Sequence, residues 1–407
     1  MKNIWLVTVG EPSPVDNDIR LHRTGLLANS LSDYGYSVTL FNSTFSHQEK
    51  KQRYKKTKII NHKENLKLVF LFGRPYMKNI SLNRVFSNND NSVNFSEISN
   101  NFPKPDLVIC AFPILGLVKE VTNFCEENNV PWILDIRDFW PDVFLEIVPR
   151  ILRPIASLIF LKFLFELKSS IKRADFIISP FDGTKNWLNT QFKKNNFIKK
   201  YQTIPFTYPA PNPNSNVDSK VSAIIDRGAD IIITFAGNIS EFSNIEDLFE
   251  IERAAKYKNL NFQIIVCGSG PKYEYFANKS KSQKSDIVFT GLLDQPSLSY
   301  ILSNSDYGFL GYNAQHLIKG VPNKVIEYTC HGLPIIINSA MEICSDSDFG
   351  VILEPYFNKE INGLLDRVSR GSSNNDKKRI RFFYENNFSE NVIFKKYLDL
   401  IQRLSVS

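Results

Sequence analysis

Gly320-Val-Pro-Asn-Lys-Val-Ile-Glu-Tyr-Thr-Cys-His-Gly-Leu-Pro-Ile-Ile-Ile-Asn338 is the stretch from which the fold is read. Pro322 fixes φ and lacks an N–H, which suits the entry to a helix. Lys324 to Cys330 then runs as about two helical turns. Gly332 stops the helix and Pro334 forbids its return. Pro334 to Asn338, with three isoleucines in a row, reads as a buried strand. Glu327 falls in mid-helix between Ile326 and Tyr328, so it sits beside an inward-facing surface. A carboxylate there must meet hydrogen-bond donors or stay near water. Sugar hydroxyls are such donors; a solvated glutamate is the plainer alternative.

Working outward, the N-terminal end opens as a βαβ unit. Ile4 to Val9 reads as a strand, Gly10 to Asp18 as a turn-rich loop, Ile19 to Tyr34 as a helix and Ser37 to Phe41 as a second strand. That order favours a parallel, doubly wound sheet, in which ligands bind beyond the carboxyl ends of the strands. Gly10 and its loop therefore face a site. Further strands are expected at Lys67 to Leu71, Asp106 to Ala111, Trp132 to Asp135 and Phe176 to Ser179. Lys78 to Asn101, rich in Asn and Ser, reads as a long flexible loop. Glu49 to Lys58, with six bases against one acid, reads as a solvated loop. Asp135-Ile-Arg137-Asp138-Phe-Trp140-Pro141 stands at a strand's carboxyl end, where an α/β site collects its polar groups. An Arg137–Asp pair that only fixes the loop is the competing reading.

The same logic recurs beyond residue 220. Ile231 to Ala236 is a strand, Gly237-Asn238 a sharp turn, and Ser243-Asn-Ile-Glu246 a capping box opening a helix to Tyr257. A helix N-terminus after a strand and a glycine is a natural diphosphate cradle. Gly268-Ser-Gly270-Pro271 lacks the third glycine of a dinucleotide fingerprint, which disfavours NAD. The backbone after Gly291, at Leu292, is placed to meet a nucleobase. The expected organisation is an α/β chain of two Rossmann-like domains with parallel sheets facing across a cleft. The first spans 1–205, a linker with three prolines spans 206–220, the second spans 221–385, and a C-terminal helix at 386–407 packs back on the first.

Pro322-Asn323-Lys324-Val-Ile-Glu327-Tyr328 with Gly332-Leu-Pro334 resembles the donor-site signature of family 4 glycosyltransferases, which are retaining, metal-independent enzymes of the GT-B fold. Trp5 through Gly10-Glu11-Pro12, Arg20-Leu-His22-Arg23-Thr-Gly-Leu-Leu-Ala28, Phe45-Ser-His47 and the Asp135–Pro141 run are similar to the branch that builds O-antigen and capsule polysaccharides. The resemblance implies transfer of a sugar, of hexosyl or N-acetylhexosaminyl type, from a UDP-sugar to a polyprenyl-diphosphate-linked saccharide. It implies no cofactor and no metal. It places Gly237, Asn238, Ser243, Gly268, Gly291, Leu292, Asn323, Lys324 and Glu327 at the donor, with Glu327 on the ribose hydroxyls. It places Gly10, Glu11, Arg20, His22, Arg23, Arg137 and Asp138 at the acceptor, with Asp138 on its hydroxyl. Two positions depart from the family: Lys319 stands where a second acid is common, and Asn238 and Ser243 stand where an Arg and a Lys are common. Lys319 or Lys324 is accordingly expected to carry the cationic, catalytic role toward the diphosphate. A GT-B sugar-nucleotide epimerase and an inactive nucleotide-sugar-binding scaffold are the rival readings.

Bulk composition agrees with a soluble two-domain chain of 407 residues, 43% hydrophobic. The five cysteines are scattered, with no CxxC pair, so zinc and a disulfide framework are disfavoured. Residues 1–205 carry 28 Lys+Arg against 19 Asp+Glu, or +9, and the remainder 21 against 23, or −2. The basic half is expected to meet phosphate or an anionic membrane face, and no nucleic-acid motif is present. The apolar Ile151 to Phe165 helix, flanked by bases, fits a membrane interface as well as it fits a core. Met1 to Val9, ended by Gly10-Glu11-Pro12, is not a signal peptide, so a cytoplasmic place at the membrane's inner face is expected.

Overall fold

A computed structural model describes residues 2–16, 20–78, 81–139, 153–192, 200–211, 217–225, 228–312, 321–338, 353–355, 360–371 and 373–404. The chain divides into two compact units, Met1–Pro205 with Phe394–Ser407, and Phe206–Ile393.

The first unit contains β1 (Asn3–Val7), β2 (Ser37–Ser43), β3 (Phe45–Ser46), β4 (Lys51–Gln52), β5 (Lys58–Lys63), β6 (Leu66–Leu71), β7 (Leu107–Phe112), β8 (Trp132–Ile136), β9 (Phe176–Ser179) and β10 (Tyr201–Thr203). Eight of them form one sheet in the order β10-β9-β8-β7-β1-β2-β6-β5, while β3 and β4 make a separate antiparallel pair. Only the β5–β6 pairing in the large sheet is antiparallel. Because β1 lies between β2 and β7, the winding reverses there, and their carboxyl ends frame the switch-point crevice. The helices Arg23–Asp33, Leu82–Ile98, Leu115–Asn128 and Arg153–Arg173 accompany this sheet. Trp5 anchors the core, stacked 4.8 Å from Phe124 and tilted against Phe41 at 5.0 Å.

The expected loop at Lys78 to Asn101 is corrected by the helix Leu82–Ile98. Ser81 caps it, accepting from the Arg84 N–H. Its polar side chains return to the preceding turn: Asn91 donates to the Ser87 carbonyl at 2.6 Å and Asn94 to that of Asp90 at 2.9 Å. Composition pointed to a loop, but Phe95 is fully buried against Trp5 and supplies the packing that propensity lacks. The helix expected from Ile19 begins at Arg23, and the loop read at Glu49 to Lys58 contains β4.

The second unit contains β11 (Ile231–Ala236), β12 (Phe262–Cys267), β13 (Val288–Gly291), β14 (Tyr307–Leu310), β15 (Ile335–Ile337) and β16 (Leu353–Pro355). All pairings are parallel, in the order β13-β12-β11-β14-β15-β16, so the winding reverses between β11 and β14. Its core gathers Ile233, Phe235, Phe249, Phe309 and Ile336. Tyr208, within the stretch read as a linker, is buried here beside Ile326 and Tyr384. The last helix, Glu390–Leu404, contributes Tyr397, Leu400 and Ile401 to the first unit from Phe394 onward.

Candidate functional site

At the switch point of the second unit, the loops after β11 and its neighbour β12 leave the sheet at glycines. Gly237, directly after β11, has φ +136°, and Gly268, directly after β12, has φ +136°. A Cβ on Gly268 would lie 1.9 Å from the Gly237 carbonyl oxygen, and one on Gly270 2.4 Å from Asn238 Oδ1. Only bare backbone lets these loops touch. A Cβ on Gly237 would in turn lie 2.5 Å from Lys324 Cε. The absent side chain is therefore the path along which Lys324 reaches the end of β11.

Lys324 belongs to the helix Asn323–Cys330, entered at Pro322 with φ −64° and no acid in its first turn. Its Nζ stands 3.7 Å from the centroid of Phe235 and 5.8 Å from that of Tyr312. Burial pulls its pKa down to about 7, with the Glu327 carboxylate opposing the shift. Glu327, on the same helix, is 7% exposed. Tyr328 fixes this helix to the sheet, because its hydroxyl accepts from the Ala236 N–H at 3.0 Å and donates to the Phe309 carbonyl at 2.9 Å. Gly308 leaves room for that ring, since a Cβ there would be 2.5 Å from it. The sequence pattern located the helix; the aromatic seat of Lys324 and the Tyr328 tie come from residues far apart in the chain.

The capping box at Ser243 is corrected. Ser243 Oγ donates to the Asn238 carbonyl at 2.6 Å, and the helix starts at Glu246 with no side-chain cap on Ile245. Glu246 and Asp247 both occupy its first turn, which disfavours an anion at that end. The Gly237 N–H is also committed, to the Cys267 carbonyl at 2.8 Å. Asp247 instead accepts from Asn244 at 2.7 Å and Asn338 at 3.0 Å, and Asn338 accepts from the Tyr312 N–H. Gly291 adopts φ +74°, Leu292 is 81% exposed, and Asn323 is exposed at the mouth of its helix. Lys319 lies outside the described residues. Among the described residues, no group of three or more His, Cys, Asp and Glu side chains is placed to hold a metal ion.

The first unit brings Glu11, Arg23, Asp135 and Arg137 together at the carboxyl ends of β1 and β8. Arg23 Nε donates to Asp135 Oδ2 at 2.9 Å and Arg137 Nε to the same oxygen at 2.8 Å. Arg137 also pairs with Glu11 and donates to Thr24 Oγ1 at 2.8 Å. Arg23 Nη1 reaches the carbonyls of Ile204 and Pro205, and its guanidinium lies 5.2 Å from the Tyr397 ring. The Arg23 side chain is 2% exposed, so it supports the loops from below rather than lining their surface. Asp138 keeps an open face, while burial pushes its carboxyl up to about 6 against the pull of Arg137 and Arg84. Gly10 has φ +91°, Arg20 is half-buried, and His22 Nε2 lies 3.1 Å from Gln48 Nε2. Trp140, Pro141 and Asp142 lie outside the described residues.

Two Rossmann-like α/β units, one on a mainly parallel and one on a wholly parallel sheet, define a protein of the GT-B fold. Residues 230–368, which contain the Lys324–Glu327 helix, match the family model for Glycosyl transferases group 1. The chain is 22% identical over 170 residues to EpsF of Bacillus subtilis (strain 168), to which a glycosyltransferase role is ascribed; the match covers 41% of this chain and 43% of that protein. The fold is similar to that of sucrose-phosphate synthase from Thermosynechococcus elongatus, with TM-score 0.73, 15% identity and 99% of both chains covered. It is also similar to Anabaena Alr3699/HepE in complex with UDP-glucose, with TM-score 0.62, 9% identity, and 99% of this chain and 100% of that one covered.

The value of about 7 at Lys324 has a measurable consequence. Protonated Lys324 attracts a diphosphate and neutral Lys324 does not, so affinity for a nucleoside-diphosphate sugar should fall as pH rises above 7. Binding should also take up protons near neutrality. The stability linkage has its own sign. Between about 7 and the ordinary 10.5 the unfolded chain holds the extra proton, so the cost of burying this group, full below about 7, falls as pH rises through that window. Calorimetric titration from pH 6 to 9 should give a declining affinity for the native chain and a flat one for Lys324→Arg. An equally flat native profile would mean that Lys324 does not meet the phosphates.

Proposed function

We propose that this chain is a retaining glycosyltransferase that moves a sugar from UDP to a lipid-linked saccharide in surface polysaccharide synthesis. The observation that carries the reading is the buried Glu327 set beside Lys324 on a helix tied to β11 and β14, inside the segment that matches a glycosyltransferase family. The bond that breaks joins the anomeric carbon to the diphosphate. Negative charge grows on the departing diphosphate, and Lys324, at the N-terminal turn of its helix, neutralises it. Glu327 accepts hydrogen bonds from the ribose hydroxyls. Asp138 meets the acceptor hydroxyl, whose oxygen forms the new bond to the anomeric carbon while its proton passes to the departing diphosphate oxygen. The chemistry is read as needing neither metal nor cofactor. UDP is favoured because the similarly folded HepE is described in complex with UDP-glucose.

A panel of nucleotide sugars tested by thermal shift checks the donor reading. Donor at 100 times its Kd adds about 2.7 kcal/mol of stability. No shift with any member would refute it. Product analysis with donor alone separates the rivals, since an epimerase releases an isomerised nucleotide sugar and a scaffold leaves the donor unchanged.

Peripheral membrane attachment belongs to the same reading. No helix among the described residues is long and apolar enough to cross a membrane. Leu161 and Phe165, one turn apart on the helix Arg153–Arg173, are 60% and 75% exposed, and the segment carries bases at both ends. Sedimentation with phosphatidylglycerol vesicles should show binding that weakens with salt. Equal recovery in the supernatant with and without vesicles at low salt would remove this part of the proposal.

A further inference from the structure

The second sheet is zipped unevenly at its switch point. On one side β11 pairs with β12 to its end, as far as Ala236 with Cys267. On the other side, among the described residues, β11 pairs with β14 only at Ile233 with Tyr307 and Thr234 with Gly308. Yet β11 runs on to Ala236 and β14 to Leu310, so both strands outlast their pairing. The Gly308 N–H is turned to the Pro334 carbonyl beside β15, so Tyr307 and Phe309 are the residues of β14 whose groups face β11. In a parallel ladder of that register the next bond would run from the Ala236 N–H to the Phe309 carbonyl.

Those are the two groups that the Tyr328 hydroxyl takes. It accepts from the Ala236 N–H at 3.0 Å and donates to the Phe309 carbonyl at 2.9 Å. The hydroxyl thus stands inside the sheet, in place of one ladder bond between its two central strands. Two bonds through a shared oxygen hold the strands farther apart than one direct bond, so the hydroxyl wedges them open where the winding reverses. The ring is fully buried and lies on Gly308, where a Cβ would come within 2.5 Å of it. Burial raises the phenol well above its ordinary value, so the hydroxyl keeps the proton it donates.

Tyr328 follows Glu327 directly and Lys324 by one helical turn. Lys324 rests on the strand end that the hydroxyl opens. Its Nζ lies 3.7 Å from the Phe235 centroid, and a Cβ on Gly237 would lie 2.5 Å from its Cε. A helix is stiff over one turn, so the depth at which the hydroxyl enters the sheet sets the height of Lys324 over the loop after β11. Without the hydroxyl, the Ala236 N–H and the Phe309 carbonyl either bond directly, which narrows the opening, or stay buried and unpaired, which loosens the strand ends. Both outcomes displace Lys324.

We infer that Tyr328 is a positioning residue of the donor site: its hydroxyl, inserted between β11 and β14, holds the switch point open and sets Lys324 against the diphosphate. This rests on the donor reading of the Lys324–Glu327 helix. Tyr328 itself touches no substrate and acts through Lys324.

The test is a calorimetric titration of UDP into the full chain, Tyr328→Phe, Lys324→Met and the double variant, each checked for folding by a thermal melt. Tyr328→Phe should weaken UDP about tenfold or more, as should Lys324→Met. The double variant should lose no more than about threefold beyond Lys324→Met alone, because residues that act through one contact are not additive. A folded Tyr328→Phe with native UDP affinity overturns the proposal. So does a loss that adds in full to that of Lys324→Met, which is what a merely structural role would give. If Tyr328→Phe does not fold, Gly308→Ala takes its place in the same cycle, since it keeps the hydroxyl but pushes the ring off its seat. The same two outcomes then decide, and failure of both variants to fold makes Tyr328 a determinant of the fold and overturns the positioning role. A native chain that binds no UDP is a failure of the donor reading, and the positioning role falls with it. Native binding beside an unchanged Tyr328→Phe is the failure of this inference alone.

Discussion

Glu327→Gln should lower kcat/KM for the matched donor by about 30- to 1,000-fold while the protein keeps its fold. The carboxylate is 7% exposed and lies on a helix whose next residue, Tyr328, is bonded to both β11 and β14. It therefore has little freedom to move away from a ligand or to be replaced by water. Hydrogen bonds from hydroxyls to a charged acceptor contribute about 1.5–3 kcal/mol each, so losing the charge against two ribose hydroxyls corresponds to about 2–4 kcal/mol. Glutamine keeps the volume and one acceptor oxygen, which isolates the charge from packing. Its neutrality also removes the carboxylate that supports the Lys324 cation, so the fall in donor affinity should set in at lower pH than in the native chain. Steady-state kinetics beside a thermal melt decide the matter. A folded variant with unchanged kcat/KM would take Glu327 out of the donor site.

The largest stability effect is expected in the first unit, at Asp135. Burial by itself would raise its carboxyl, but the Arg137 and Arg23 cations outweigh this and hold it below the usual carboxylate range. Asp135 is fully buried and one of its oxygens receives both guanidinium groups. Asp135→Asn leaves two cations facing each other beside Glu11, and breaking a buried pair in this way costs about 3–5 kcal/mol. Because the folded pKa is depressed, the stabilisation is present above the ordinary carboxylate value and is lost as pH falls through the acid range. Denaturant unfolding should show the loss at pH 7 and a difference from the native chain that shrinks as pH falls below the ordinary carboxylate value. A difference under about 1 kcal/mol at pH 7 would mean that the network is a surface ornament of the loops, comparable with exposed ion pairs. Arg23→Met should behave similarly, which separates a supporting cation from one that touches substrate.

The local sequence determined much of this architecture. Pro322, Gly332 and the three isoleucines at 335–337 set the helix and strand around Glu327, and the observed bounds are Asn323–Cys330 and Ile335–Ile337. Apolar runs bounded by glycine and proline marked most of the strands of both sheets, because a buried parallel strand needs a continuous apolar face and a local stop. Where composition and packing disagreed, packing won. The Asn- and Ser-rich segment became the helix Leu82–Ile98 because Phe95 found Trp5, a residue ninety positions earlier, and its amides found the preceding turn. Ser243 looked like a cap, but the Asn238 carbonyl took its hydroxyl.

The site shows the same division. Sequence spacing identified Lys324 and Glu327, since a helix fixes their separation. It was silent on Phe235 and Tyr312, which lower the polarity around Lys324, because only the sheet order brings β11 beside β14. Tertiary structure decided that Arg23 and Arg137, which in the sequence are merely basic residues, are both held by Asp135. The physical reason is that a charge's role depends on which opposite charge the fold places beside it, and that distance is set by long-range pairing rather than by neighbours in the chain.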